Sequence, residues 1–141
     1  MTADQLLLRI AADLAGFESG RRAMRAFLEP RGVSERALYR AELAFEEICV
    51  NVIRHGLAQQ ELPGRRIDVE VRCTGEELVL ILEDDGPPFD PTQLQPGPPA
   101  ASLEEARIGG HGISLARQAA RDMQYARIAG RNRLTLLLDR H

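Results

Sequence analysis

"RRIDVEVRCTGEELVLILEDDG", residues 65 to 86, is the stretch from which the fold is read. Its first half alternates Ile67, Val69, Val71 and Cys73 with Asp68, Glu70 and Arg72, the period of two that marks a strand with one face buried and one in water. Thr74-Gly75 then breaks the pattern, and "GEELVLILEDD" resumes as a more apolar strand. Two such runs across a short turn predict an antiparallel hairpin. The chain must therefore build around a sheet.

Working toward the N-terminus, "LLLRIAADL" at 6–14 reads as a further strand. Ser19 with Gly20 is expected to open a helix that Pro30 stops. Ser34 is expected to cap a second, longer helix, with Glu35 and Arg36 in its first turn and its end near Gly56. Toward the C-terminus, residues 90 to 107 are rich in Pro, Gly and Gln and read as a long loop, the kind that serves as a lid or binding segment. Past the glycines of "RIGGHGISLA" (107–116) a third helix should run to about Asp122. "MQYARIA" and "RNRLTLLLD" follow as two strands joined through Gly130. About five strands, mostly paired as hairpins, and three helices predict an α+β fold. It is a two-layer α/β sandwich, with a mixed, mostly antiparallel sheet covered on one face by helices. With no internal repeat and no linker, residues 1–141 read as one domain, large enough to bury about two-thirds of its unfolded surface.

Composition removes several functions. A net charge of -3 with interspersed signs lacks the basic stripe of a nucleic-acid binder, so no direct nucleic-acid partner is expected. No apolar run approaches the ~18 residues of a membrane helix and no signal segment is visible, which implies a cytoplasmic protein without a membrane role. Cys49 and Cys73 lie in apolar segments without metal or redox spacing and read as small core residues. All 18 basic residues are arginine. Without lysine the chain cannot build a P-loop, the lysine-dependent site of the eukaryotic-type kinase fold, or a Schiff base. Any phosphate must be held by backbone N–H groups, Arg or a metal ion.

Three stretches carry the candidate chemistry. On the second helix Leu38, Ala41, Phe45, Ile48, Cys49 and Val52 form an apolar stripe. Arg40, Glu47, Asn51 and Arg54 lie opposite, with His55 beside them. That polar side is either a solvated face or a site. Glu47 and Asn51 stand one turn apart, and a carboxylate beside a carboxamide can activate a nucleophile and ligate a hard cation such as Mg²⁺. "LEDDGPPFDP" ends the hairpin at Asp84, Asp85 and Gly86. It is an ordinary turn or, alternatively, a place where a strand-end carboxylate accepts an exocyclic amine while glycine admits a flat ring. Gly109, Gly110 and Gly112 precede a helix, either merely to let the chain turn or to aim unpaired N–H groups at an anion.

Together, "EEICVNVIRHG", "DDGPPFDP" and "GGHGISLA" resemble, in this order, the N, G1 and G2 boxes of the GHKL (Bergerat-fold) ATPases. The detail ExxxNxxxHG followed by DxGxPFDP is most similar to the anti-sigma-factor serine kinases of the RsbW and SpoIIAB type. The likeness spans nearly the whole chain. It implies ATP and Mg²⁺ as cofactors, with Asn51 on the Mg²⁺ and Glu47 as the general base. It further implies Asp84 on the adenine amine with Gly86 beside it, and Gly110, His111 and Gly112 with the backbone after them around the phosphates. Thr135 would reach the adenine or its bound water, and residues from about 90 to 108 would form the ATP lid, where Arg107, by its position in this lysine-free chain, could reach the γ-phosphate. His55 and Gly56 match the end of the family's helix, and Arg22 a position that some relatives use against protein partners. Pro88 stands where many relatives carry a second glycine, and Glu46 precedes Glu47, so spacing to Asn51 selects the base. At this length neither a phospho-accepting helix nor a transducer domain is accommodated. The implied function is that of an ATP-dependent serine/threonine protein kinase that phosphorylates a STAS-domain antagonist, sequesters a sigma factor and forms a homodimer. The alternative is a nucleotide-gated binding switch that transfers no phosphate.

Overall fold

The computed structural model describes residues 4–53, 65–93 and 118–141. Within them β1 (Asp4–Ala11), α1 (Leu14–Leu28), α2 (Glu35–Asn51), β2 (Arg66–Cys73), β3 (Glu77–Asp84), β4 (Asp122–Ile128) and β5 (Arg131–Asp139) follow in that order. The sheet order is β1-β2-β3-β5-β4. Every neighbouring pair among these strands is antiparallel, so the described sheet is not mixed.

The alternation in β2 does what its period requires. Ile67, Val69, Val71 and Cys73 are buried on one face, in register with Ile10, Leu8, Leu6 and Asp4 on β1. Leu82, Leu80 and Leu78 of β3 continue that face, matched by Leu134, Leu136 and Leu138 of β5. Both helices close over it. Ala37, Leu38, Ala41, Ala44, Phe45, Ile48, Cys49 and Val52 face the sheet from α2 and its C-cap, with the Phe45 ring 5.6 Å from that of Phe17 on α1. Cys49 and Cys73 are free thiols in this core, and burial pushes the Cys49 thiol up from its ordinary value. The other face carries Arg9, Asp68, Arg131, Glu83 and Arg133 as a chain of ion pairs at 2.6 to 3.5 Å.

Two helix boundaries differ from the sequence reading. α1 begins at Leu14, not near Ser19, because Asp13 caps it by accepting from the Gly16 N–H at 2.7 Å. Its glycines are inside the helix for packing. A Cβ on Gly16 would stand 1.9 Å from the Ala11 carbonyl oxygen, and one on Gly20 would stand 2.9 Å from the Phe45 ring. The strand read as 6–14 accordingly ends at Ala11. Ser34 caps α2 as expected, through the Ala37 N–H. The third helix falls largely outside the described residues. Only Gln118 and Ala119 are seen helical, and the helix stops short of Asp122, which already pairs with Leu137 as the first residue of β4. The β4–β5 turn is the two residues Ala129 and Gly130, both at positive φ (52° and 76°). That is the geometry of a tight hairpin turn matched to strand twist.

Candidate functional site

Four polar side chains are buried among the described residues: Glu47 and Asn51 on α2, Asp84 at the end of β3, and Asn132 at the start of β5. They are 4%, 6%, 5% and 5% exposed. Glu47 and Asn51 therefore do not belong to a solvated face. The i, i+4 spacing puts both on one side of α2, and the helix is rolled so that this side turns inward.

Asn51 carries the clearest sign of an unmet function. Its Nδ2 is buried without a hydrogen-bond partner among the described residues. A buried amide left unmade costs about 1–3 kcal/mol, and native folds rarely keep one without a use. An Mg²⁺–triphosphate would fit this side chain, with Oδ1 on the cation and Nδ2 donating to a phosphate oxygen. No group of three or more His, Cys, Asp or Glu gathers as a metal cage among the described residues. Mg²⁺ does not require one, since it keeps several waters and is commonly held by one or two protein oxygens with substrate phosphates.

The β-strand end is built differently. Asp84 Oδ1 accepts from the Gly86 N–H at 2.9 Å and from Asn132 Nδ2 at 3.0 Å. The Gly86 carbonyl accepts from Arg127 on β4 at 2.8 Å. Arg65, before β2, pairs with Asp85 at 2.6 Å. Val52, Leu82, Asp84, Phe89, Pro91, Tyr125, Asn132 and Leu134 line a cavity of ≈ 20 Å³. That volume suits about one water molecule. Val52 follows Asn51, so the end of α2 borders the same cavity as Asp84.

Thr135 lies on β5. It is in register with Ile81 on β3 and Gln124 on β4, on the sheet face away from the helices. The β5 residue opposite Asp84 is Asn132. The sequence carried the signal in parity: Asn132 is in phase with Leu134, Leu136 and Leu138, and Thr135 is out of phase. Arg22 is exposed on α1, 3.8 Å from Glu18. Arg107, Gly110, His111 and Gly112, with His55, Gly56 and the lid beyond Gln93, lie outside the described residues.

The comparisons with known proteins agree with this geometry. The family model for the histidine kinase-like ATPase domain matches residues 10–138. The serine/threonine-protein kinase BtrW of Bordetella bronchiseptica is 35% identical over 105 residues, covering 73% of this chain and 71% of its own. The crystal structure of the RsbU and RsbW domains of Rv1364c from Mycobacterium tuberculosis superposes with a TM-score of 0.63 at 16% identity. It covers 96% of this chain, which spans 32% of that one. Fold and site thus define a two-layer α/β domain of the ATP-using GHKL class. Within that class, the chain belongs to the histidine kinase-like ATPase domain family, on its serine/threonine-protein kinase branch. No helix among the described residues is long and apolar enough to cross a membrane.

Proposed function

We propose that this chain, as a single domain over residues 1–141, transfers the γ-phosphoryl group of ATP to a serine or threonine of a STAS-domain antagonist. In its other state it holds a sigma factor, in the cytoplasm and as a homodimer. The observation that carries the reading is the buried Glu47–Asn51 pair, one turn apart, with an unpartnered amide nitrogen on Asn51. The kinase name of the Bordetella relative and the RsbW name of the mycobacterial fold neighbour support the choice of substrate and partner classes.

In this reading Asp84 accepts a hydrogen bond from the adenine amine, and Gly86 leaves room beside the ring. Asn51 holds the Mg²⁺–phosphate end, where the cation would neutralise charge on the phosphate oxygens. Glu47 orients the incoming hydroxyl and takes its proton as the hydroxyl oxygen bonds to the γ-phosphorus, while the bond to the β-phosphate oxygen breaks and ADP leaves. Phosphoryl transfer asks mainly for such positioning and electrostatics. Arg107 approaches the γ-phosphate from a lid at about 90–108, and the backbone at Gly110, His111 and Gly112 cradles the phosphates. Lid position, following nucleotide state, sets which partner is held.

The test is transfer of labelled γ-phosphate to candidate STAS proteins. Glu47→Gln is expected to bind ATP but to lose about 10²–10⁴-fold in rate, as for removal of a positioned base. Wild-type protein that binds ATP yet labels no STAS protein would replace the kinase by a nucleotide-gated switch.

A further inference from the structure

The amide of Asn132 is used to its limit. Both Nδ2 hydrogens are donated, to Asp84 Oδ1 at 3.0 Å and to the Pro87 carbonyl at 2.9 Å. Its Oδ1 accepts from the Phe89 N–H at 3.2 Å, the Tyr125 hydroxyl at 2.5 Å and the Arg127 guanidinium at 3.1 Å. Two donors and an accepting oxygen with three partners leave nothing with which to touch a ligand. The partners also fix which end of the amide is nitrogen, because acceptors surround one end and donors the other. Asp84, by contrast, is half used. Its Oδ1 has two donors, whereas its Oδ2 has no hydrogen bond among the described residues, and the carboxylate lines the cavity.

We infer that Asn132, held from strand β4 by Tyr125 and Arg127, is a positioning residue that sets purine specificity without contacting the nucleotide. By occupying Oδ1 it stops the Asp84 carboxylate from rotating, so that only Oδ2, an acceptor, faces the ring edge. A 6-amino purine supplies the matching N–H donor. A 6-oxo purine presents an oxygen to the same carboxylate and is repelled. Arg127 extends the device, because its guanidinium bridges Asn132 and the Gly86 carbonyl and so ties the edge strand to the turn beside the base. The inference rests on the nucleotide reading of the site.

Calorimetric binding of Mg²⁺-ATP and Mg²⁺-ITP to wild type, Asn132→Asp and Arg127→Gln tests it. In Asn132→Asp an oxygen replaces the nitrogen beside Asp84 Oδ1. The two carboxyl groups must then share a proton, and the acid so formed can donate to O6. The ATP-over-ITP preference is expected to fall at least about tenfold in Asn132→Asp and about threefold in Arg127→Gln, since rejection of an analogue lacking the donor depends on a fixed polar partner. Equal weakening of both nucleotides, or an unchanged ratio, overturns the inference while leaving the site intact. Wild type that binds neither nucleotide overturns the nucleotide reading and this inference with it. Should Asn132→Asp fail to fold, Arg127→Gln on the exposed edge of β4 decides the matter alone.

Discussion

Asn51 and Asn132 are the same side chain at nearly the same depth, and the fold treats them in opposite ways. Among the described residues Asn132 has five hydrogen-bonding partners, whereas the Nδ2 of Asn51 has none. A saturated buried amide is part of the framework, and its removal leaves its partners stranded. An unsaturated one is a standing cost, which in the proposed function a bound nucleotide would relieve. The contrast separates a satisfied buried amide from an unsatisfied one, although burial alone ranks them together.

The comparison can be broken most directly at Asn132. Asn132→Leu is expected to cost about 3 kcal/mol in urea unfolding, because the Pro87 carbonyl, the Tyr125 hydroxyl and the Phe89 N–H lose partners together. A near-neutral result would remove Asn132 from the framework. Next in size is the stabilisation by ligand. ATP with Mg²⁺ at a hundred times its dissociation constant should raise wild-type stability by about 2.7 kcal/mol, and the same concentration should do far less for Asn51→Leu. Without nucleotide, Asn51→Leu should stay within about 1 kcal/mol of wild type or gain stability, since it removes a buried group that has no partner. A large loss there would mean that Asn51 is structural. The smallest effect belongs to the open sheet face. Arg9→Ala breaks an exposed pair with Asp68 and should leave the urea midpoint unmoved.

The sequence made the hairpin legible because β2 and β3 alternate cleanly about Thr74-Gly75, and α2 legible because Ser34 caps it and its apolar stripe is unbroken. The start of α1 was hidden. Gly20 beside Ser19 looks like a boundary residue, yet it and Gly16 are required where the helix crosses Phe45 and Ala11 at distances that admit no side chain. At the site, the spacing of Glu47 and Asn51 announced a pair, but their burial depends on how far α2 rolls against the sheet, which helical periodicity does not fix. Asn132 was missed because "RNRLTLLL" offers two uncharged polar residues of opposite parity. The register sets Asn132, not Thr135, opposite Asp84.

The turn at Ala129 and Gly130 governs more than the end of a hairpin. Two residues at positive φ set Ile128 against Arg131, and counting back from there sets Arg127 against Asn132 and Tyr125 against Leu134. Lengthening that turn by one residue would slip β4 by one place against β5 and carry Arg127 and Tyr125 to the opposite side of the sheet. The grip on Asn132 would go with them. The length of a loop at the outer edge of the sheet is thus a determinant of which base the pocket accepts, and an insertion there would act as a specificity mutation while changing no residue that lines the pocket.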